Sequence, residues 1–216
     1  QEKTKQLPGY YGSYAKCRYL KPEEAIKLIK EGKPYVVRFK SNGNHNNKIR
    51  VHDEIRGDID ISENELDVVI LKSDGLPTYH FAHVVDDHLM KTTTITRGEE
   101  WISSLPIHLE MFKALKWKAP KYAHLPLINK LDNGNKRKLS KRKDPEAAVT
   151  YFFTEGYPTE AVLVYLMSIA NSNFEEWMIA NKSFDLNQFP FSIHKMSLDG
   201  ALFDLDKLAY FSKEFL

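Results

Sequence analysis

The sequence lacks several features by which common classes of protein are recognised. Its single cysteine among 216 residues, Cys17, excludes an internal disulfide and any zinc site built from several cysteines. No apolar run approaches the roughly 20 residues that a membrane-spanning helix needs, and residues 1–5 show no signal-peptide core. These absences predict a cytoplasmic protein with no membrane partner, and no zinc is expected.

The usual glycine-rich phosphate motifs are also missing. Neither G-x-x-x-x-G-K-[ST] nor G-x-G-x-x-G occurs, so the P-loop and dinucleotide-binding classes lose their main support. A G-x-S-x-G nucleophile elbow is absent too. The formal net charge is only +2, so the charge of the whole chain does not indicate nucleic-acid binding. Only a local basic cluster argues for contact with a polyanion.

That basic cluster occupies residues 130–143, where Asp132 is the only acid. Within it, Asn133-Gly134-Asn135 supplies residues that tolerate a left-handed turn. Within it, Lys138-Leu139-Ser140-Lys141-Arg142 places ammonium groups on either side of a hydroxyl. Lysines in this arrangement can neutralise the charge that develops on phosphates during attack at phosphorus. A solvated basic loop is the simpler alternative for a lysine-rich stretch.

Residues 1–66 have the pattern of a small α+β unit with an antiparallel sheet. An apolar stripe predicts a helix from Pro22 to Lys30, which Gly32 ends. Alternating apolar residues predict a strand over 35–39 and further short strands between residues 49 and 61.

From residue 67 the pattern changes to strands that alternate with helices, which indicates a parallel α/β sheet. The apolar run at 66–71 is typical of a strand covered on both faces. Helices are predicted at 78–90 and 103–115, with strands at 92–96 and 122–128. Three strands make one half of a doubly wound nucleotide-binding fold. The predicted class is therefore α/β, with the other half missing upstream.

The region 144–216 is predicted to be helical. Asp144-Pro145-Glu146 has the composition of a helix start, with Asp144 as N-cap. Helices are expected from Pro145 to Glu155 and from Pro158 to Ala170. Another is expected over 205–211, with Asp204 near its N-cap.

Three potential metal ligands share one face of the predicted helix at 78–90. His80, His83 and Asp87 recur at i, i+3 and i+7. Two imidazoles and a carboxylate are adequate ligands for a divalent metal, so this face supports the hypothesis of a metal-dependent hydrolase. The alternative is a polar helix face that lines a cleft.

Arg97-Gly98-Glu99-Glu100-Trp101 follows a predicted strand directly, at the edge where α/β folds bind ligands. Arginine can fork onto a carboxylate or a phosphate. Gly98 permits a ligand to approach the backbone closely, and the ring of Trp101 offers a flat surface. An ordinary strand-to-helix turn with a surface ion pair is the alternative for these residues alone.

Taken in order, several segments closely resemble bacterial glutamyl-tRNA synthetases, a family of class I aminoacyl-tRNA synthetases. The segments are Asp74–Ala82, Val84–Met90, Arg97–Trp101, Pro106–His108 and Lys138–Arg142, with further matches at Cys17-Arg18, Val37–Phe39 and Phe203–Leu208. The resemblance implies an acceptor-end-binding α+β insertion at 1–66. It also implies the second half of a Rossmann-like catalytic domain with a KMSKS-type loop at 67–143, and a helical stem-contact domain at 144–216.

The resemblance further implies roles for individual residues. Four match the glutamate pocket, with His83 at its edge: Tyr79, His83, Arg97 and Trp101. Five match the ATP site: Glu100, Leu127, Ile128, Lys138 and Lys141. Leu127 and Ile128 resemble the strand end whose backbone pairs with adenine. Lys138, Ser140 and Lys141 match the catalytic, phosphate-contacting loop.

The implied reaction is activation of glutamate by ATP, accompanied by Mg²⁺, followed by transfer to tRNA(Glu). A monomer is expected. Neither the family's upstream HIGH-type motif nor its anticodon-binding domain, which would follow Leu216, has a counterpart here. We therefore expect an interior fragment that is inactive alone.

Several alternatives remain, including related members of the wider family. A non-catalytic fragment that binds the tRNA acceptor arm is the second hypothesis. The helical region after Asp144 counts against a paralogue that glutamylates a tRNA nucleoside. Val84–His88 and Arg97–Trp101 fit the glutamyl branch better than the glutaminyl branch. Charging of tRNA(Gln) stays open, since the anticodon reader is absent.

Overall fold

A computed structural model of the chain describes residues 8–181 and 185–215, which form two compact units. The first unit holds the described residues up to His52, together with Asp58–Ile95 and Trp101–Lys121. The second unit holds Asp53–Gly57, Thr96–Glu100 and the described residues from Tyr122 onward.

The helices and strands follow one another along the described residues. In chain order they are α1 (Pro22–Lys30), β1 (Val37–Arg38), β2 (Lys48–Asp53), β3 (Gly57–Ser62), β4 (Val69–Leu71), α2 (Tyr79–Leu89), β5 (Thr94–Gly98), α3 (Leu105–Ala114), β6 (Lys121–Leu125), β7 (Asn129–Asp132), β8 (Asn135–Lys138), α4 (Val149–Thr154), α5 (Thr159–Ala170), α6 (Phe174–Ala180) and α7 (Leu205–Ser212). Short 3₁₀ turns include Gly12–Tyr14, Glu99–Ser104 and Pro145–Ala147.

A four-stranded sheet has the order β3-β2-β6-β5. Strands β2 and β6 run parallel, with Asp53 opposite Tyr122. This parallel pair confirms the predicted α/β class, and it brings the end of β2 beside the start of β6.

Each unit has its own apolar core. In the first unit, α2 and α3 bury Val84, Met111 and Phe112. In the second, the helices after residue 148 bury a larger cluster that includes Tyr165 and Leu208. None of the helices in the described ranges is long and apolar enough to cross a membrane.

A tight hairpin joins β7 to β8 in the second unit. Asn133 and Gly134 both have positive φ, at 50° and 80°, as a two-residue type I′ turn requires. Asn129 pairs with Lys138 at the open end of the hairpin. The predicted left-handed turn is therefore confirmed, and the basic cluster is partly a hairpin rather than a continuous loop.

Several predicted helices are confirmed within a residue or two: Pro22–Lys30, Tyr79–Leu89, Leu105–Ala114, Thr159–Ala170 and Leu205–Ser212. Asp204 caps the last of these, since its carboxylate accepts from the amides of Asp206 and Lys207. The sequence did not single out α6.

The apolar run at 66–71 contains the predicted strand, but the expected burial of both faces and the parallel pairing are wrong. Its strand, β4, is only partly buried and pairs antiparallel with β1 in a separate two-stranded sheet. The buried Asp67 accepts hydrogen bonds from Arg18 and from the amide of Ser41, 2.9 Å away, which anchors this segment. An apolar run indicates burial, but it does not identify the partner strand. Within residues 1–66, β2 is bonded to β3, and it also pairs with β6, so the sheet expected there extends beyond that region.

Further boundaries differ from the predictions. The strand expected over 92–96 runs from Thr94 to Gly98, so Arg97 lies within it and not after it. The strand expected over 122–128 ends at Leu125. The helix expected from Pro145 is a 3₁₀ turn, and α4 begins only at Val149. Asp144 makes no cap hydrogen bond with its side chain. Its carboxylate is already engaged by Arg137 and by the amide of Ser140.

Candidate active site

The residues predicted to form the site are divided between the two units. Tyr79, His83 and Trp101 belong to the first unit. The remainder belong to the second: Arg97, Glu100, Leu127, Ile128, Lys138, Ser140 and Lys141. The geometry within each unit is described in turn.

In the first unit, the three predicted glutamate-pocket residues lie together. The ring of Tyr79 is 4.7 Å from that of Trp101 and is stacked on that of His83 at 5.8 Å, measured between centroids. Helix α2 places Tyr79 and His83 one turn apart, and the 3₁₀ turn after β5 supplies Trp101. About half of the Tyr79 side chain is exposed. The three rings lie together, and Tyr79 is the most exposed of them.

The same helix does not form the metal site that was proposed for it. His83 Nδ1 lies 2.8 Å from Asp87 Oδ2, whereas His80 Nδ1 lies 3.0 Å from Nε2 of the buried His108 on α3. Among residues 8–181 and 185–215, no group of three or more histidine, cysteine, aspartate or glutamate side chains could hold a metal ion. The proposed ligands are bonded in separate pairs, and the hydrolase hypothesis has no support.

In the second unit, Arg97 on β5 is held by two aromatic side chains of β6. Its Nε donates to His124 Nε2 at 3.0 Å. Its guanidinium carbon lies 5.0 Å from the centroid of the Tyr122 ring, within the range of a cation–π contact. His124 in turn lies with Nδ1 2.6 Å from Asp53 Oδ2. The result is a chain of contacts from Asp53 through His124 to Arg97.

Burial and hydrogen bonding shift the pKa values of the two buried members of this chain. Burial of Asp53 opposes its ionisation. Hydrogen bonds from His124 and from the amides of Arg56 and Ile55 outweigh that effect and lower the pKa of Asp53. Burial lowers the pKa of His124, as does the charge of Arg97, although Asp53 works against them. Asp53 is therefore ionised and His124 neutral at pH 7.

The segment 138–142 is anchored by the residues around it. Leu139 packs against the apolar core of the second unit, and its amide donates to the carbonyl of Ile128 at 2.9 Å. Asp144 accepts a two-pronged hydrogen bond from Arg137, at 2.7 Å for each nitrogen. It also accepts from the amide of Ser140 at 2.8 Å. The turn from Ser140 to Asp144 is thus held by a buried carboxylate.

The hydrogen bond from Arg137 is the main cause of the strongly lowered pKa of Asp144, and the same pairing raises the pKa of Arg137. Lys130 forms an ion pair with the buried Glu146 just beyond the turn. Lys138 and Lys141, by contrast, are exposed. The structural cations of the cluster are therefore neutralised by buried acids, whereas the predicted phosphate-binding lysines face solvent.

Glu100 is the partner of Lys138. The Lys138 Nζ atom lies 2.7 Å from Glu100 Oε1, and about half of each side chain is exposed. The hydrogen bond from Lys138 lowers the pKa of Glu100. A Cβ atom at Gly98 would collide with the Glu100 carboxylate. Glycine at this position therefore leaves room for the carboxylate beside Lys138.

The predicted adenine-binding residues lie between β6 and β7. The amide of Leu127 donates to Glu99 Oε1 at 3.3 Å, and the carbonyl of Ile128 accepts from Leu139 at 2.9 Å. Gly200 approaches the carbonyl of Leu127 closely enough that a Cβ atom there would collide with it. Residues 127–128 are thus hydrogen-bonded to Leu139 of the 138–142 segment and lie close against Gly200.

Sequence reasoning missed Asp53 and His124, and it assigned Asp144 to a different role. One signal was available for His124. It is the only ionisable residue between Tyr122 and Leu125 in a buried strand, and a buried polar side chain must have a partner. Nothing local identified that partner, because Asp53 lies 71 residues earlier.

Comparisons with known proteins identify the family of this chain. The family model described as "tRNA synthetases class I (E and Q), catalytic domain" matches residues 1–208. A glutamate–tRNA ligase of Clostridium perfringens strain 13 is 56% identical over 97% of this chain. One of Acetivibrio thermocellus is 54% identical over 96%.

Among solved structures, a glutamate tRNA ligase from Elizabethkingia meningosepticum in complex with its amino acid is similar, with a TM-score of 0.76 and 32% identity. The match covers 99% of this chain and 46% of that one. The chain spans 38% of the length of the curated relatives from Clostridium perfringens and Acetivibrio thermocellus. The chain belongs to the family of class I tRNA synthetase catalytic domains of the E and Q type.

Proposed function

We propose that this chain supplies part of the catalytic region of a glutamate–tRNA ligase. One structural observation carries the proposal. The contact between Lys138 and Glu100 brings the exposed lysine of the 138–142 segment to the end of β5, on which Arg97 also lies. A cation suited to phosphates and a cation suited to carboxylates therefore occur at one strand end, where an amino acid and ATP must meet.

The proposed reaction forms glutamyl-adenylate from glutamate and ATP with release of pyrophosphate, and then transfers glutamate to the terminal ribose of tRNA(Glu). Arg97 binds a carboxylate of glutamate, and Tyr79, His83 and Trp101 are the other residues assigned to that substrate. Lys138, Ser140 and Lys141 contact the ATP phosphates, and Mg²⁺ accompanies the nucleotide. Catalysis here depends on positioning and on neutralising phosphate charge, so no nucleophilic side chain is needed.

Adenine is assigned to the backbone at Leu127 and Ile128. The amide of Leu127 and the carbonyl of Ile128 are already engaged within the chain. The base is therefore expected to pair with the carbonyl of Leu127 and the amide of Ile128. Glu100 borders the same nucleotide site, and Lys138 leaves Glu100 to contact the phosphates when ATP binds.

The remaining assignments follow the same proposal. Residues 1–66 bind the acceptor end of tRNA(Glu), residues 67–143 hold the substrates, and residues 144–216 contact the tRNA stem. The ligase is proposed to act as a monomer in the cytoplasm. Because the chain spans 38% of the length of its Clostridium perfringens relative, we expect no catalysis from these residues alone.

A chimera tests this function directly. The chain replaces the segment that it matches in the Clostridium perfringens ligase, and glutamate-dependent exchange of pyrophosphate into ATP is measured for the chimera and for the isolated chain. We expect exchange by the chimera only. A folded chimera without exchange would contradict the proposal, and parent-like exchange by the isolated chain would contradict the need for the remaining segments.

Substitutions in the hairpin region assign the phosphate contacts. Lys138→Ala or Lys141→Ala should lower the exchange rate of the chimera about a hundredfold, as loss of one preorganised contact to transition-state charge does. Lys136→Ala is the matched control, because Lys136 is an exposed cation of the same hairpin outside the 138–142 segment. Equal losses in all three variants would indicate a general electrostatic effect. Salt-sensitive tRNA binding by a chimera without exchange would favour the acceptor-arm-binding alternative.

A further inference from the structure

The contacts of His124 determine which of its nitrogens carries the ring proton. An arginine Nε–H can only donate, so His124 Nε2, at 3.0 Å from it, must accept. The ring proton therefore lies on Nδ1, which faces Asp53 Oδ2 at 2.6 Å. The side chains of His124 and Asp53 are both fully buried, at 0% exposure. His124 is held as the neutral Nδ1–H tautomer.

The backbone fixes Asp53 in the orientation that this tautomer needs. Its Oδ1 accepts from the amides of Ile55 and Arg56, at 3.0 Å each. Its Oδ2 accepts from the amide of His124 at 3.1 Å, in addition to the ring. The carboxylate therefore accepts hydrogen bonds from three backbone amides in addition to its contact with the imidazole. It cannot rotate away without leaving several backbone donors unpaired.

The arrangement constrains Arg97 in two directions. The hydrogen bond to His124 fixes one edge of the guanidinium, and the ring of Tyr122 lies against the group at 5.0 Å. Both constraints come from β6, and Asp53 lies opposite Tyr122 in the parallel strand pair. A histidine that only filled the core would not need to present an acceptor to an arginine on the next strand of the sheet.

We propose that Asp53 and His124 are positioning residues for recognition of the amino-acid substrate, because they fix the plane of the Arg97 guanidinium before a carboxylate arrives. A planar fork that is already oriented loses less side-chain entropy when it forms paired hydrogen bonds with a carboxylate. This inference rests on the proposed role of Arg97 in binding glutamate.

Two substitutions at His124 separate positioning from packing. The amide nitrogen of asparagine falls near the position of Nδ1, so His124→Asn keeps a donor for Asp53 and loses the acceptor for Arg97. The amide oxygen of glutamine reaches the position of Nε2, so His124→Gln keeps the acceptor. In the chimera, His124→Asn should raise KM for glutamate about tenfold, whereas His124→Gln should stay within about threefold of the parent. KM for ATP should change little in either variant.

A third variant acts through the tautomer and serves if His124→Asn does not fold. Asp53→Asn replaces one acceptor oxygen by a donor, which favours movement of the ring proton to Nε2. Nε2 then opposes the N–H of Arg97, and KM for glutamate should again rise about tenfold with KM for ATP unchanged.

Arg97→Ala distinguishes failure of this inference from failure of the proposed function. If Arg97→Ala leaves KM for glutamate unchanged, Arg97 does not bind the substrate and the proposed function loses that residue. If Arg97→Ala raises KM for glutamate but His124→Asn and Asp53→Asn do not, the positioning role is overturned. Equal rises of KM for glutamate and for ATP in the His124 variants would also overturn it, because they indicate a general loss of structure.

Discussion

Arg97 and Lys138 carry the same charge in the second unit, yet the structure holds them in opposite ways. Arg97 is bonded to a fully buried histidine that is itself bonded to a buried carboxylate. Lys138 meets Glu100 in an exposed pair, and such pairs contribute about 0–1 kcal/mol. The first arrangement fixes an orientation, whereas the second can be exchanged for a ligand at little cost in free energy.

The difference suits the two proposed substrates. A carboxylate of glutamate is small and planar, so its recognition benefits from a guanidinium with a fixed plane. The phosphates of ATP change charge and geometry during the reaction, so a lysine on a flexible stem can follow them. Asp144 lies between these extremes, because it is buried but shapes a turn whose lysines are exposed.

Loss of the buried carboxylate should have the largest effect on stability. Asp53→Ala leaves the Nδ1–H of His124 and several backbone amides without an acceptor, so the free energy of unfolding should fall by about 3 kcal/mol. Urea denaturation of the isolated chain measures the change. The control is Asp60→Ala, which removes an exposed partner of Arg50 and should have little effect. Similar losses in both variants would contradict the contrast between buried and exposed acids.

The turn after the hairpin should respond next. Asp144→Asn weakens the two-pronged bond from Arg137 and the bond from the Ser140 amide, so hydrogen exchange at Ser140 should speed up about tenfold. Asp132→Asn is the matched control, because Asp132 also accepts from Arg137 but its side chain is about half exposed. Exchange at Ser140 that is unchanged in Asp144→Asn would show that Leu139 alone anchors the segment.

A pH titration tests whether folding holds the buried His124 neutral. The pKa of His124 is lowered in the folded protein, so on acidification the unfolded chain takes up this proton first, near pH 6.5. The contribution of His124 to stability is therefore present above pH 6.5 and is lost as the pH falls below it.

The free energy of unfolding should thus fall more steeply for the parent chain than for His124→Gln, by up to about 1 kcal/mol between pH 6.5 and 5.5. Unfolding midpoints in urea at each pH measure this difference. Parallel pH profiles for the two chains would show that His124 is not held neutral by folding.

The contacts in this region that could be predicted from the sequence are those between residues close together along the chain. The turn at Asn133-Gly134 and the helix of Tyr79 and His83 follow from local patterns, and both are confirmed. The pairing of Asp53 with His124 joins residues far apart in sequence, which no local pattern encodes. Asp144 was predicted to be an N-cap because Asp144-Pro145-Glu146 has the composition of a helix start. In the fold, its carboxylate instead accepts hydrogen bonds from Arg137, which the hairpin brings beside it.

The same limit applies to strands. The apolar pattern located β4 and β6, but the partner of each depends on contacts made elsewhere. Asp67 fixes β4 beside β1, and Asp53 lies where β2 meets β6. The cations of the candidate site were predicted individually, whereas the role of Asp53 and the pairing of Lys138 with Glu100 became visible only in the fold.

The smallest expected effect concerns the exposed pair. Gly98→Ala should push the Glu100 carboxylate away from Lys138, because the new Cβ atom would collide with it. The free energy of unfolding should change by no more than about 0.5 kcal/mol, since the pair is exposed. The pKa of Glu100, which Lys138 lowers, should rise toward its ordinary value, and NMR titration of the carboxyl carbon measures it. Lys138→Met should produce the same rise without touching Gly98. If Gly98→Ala leaves the pKa of Glu100 unchanged while Lys138→Met raises it, glycine at this position is not what keeps the carboxylate beside the lysine.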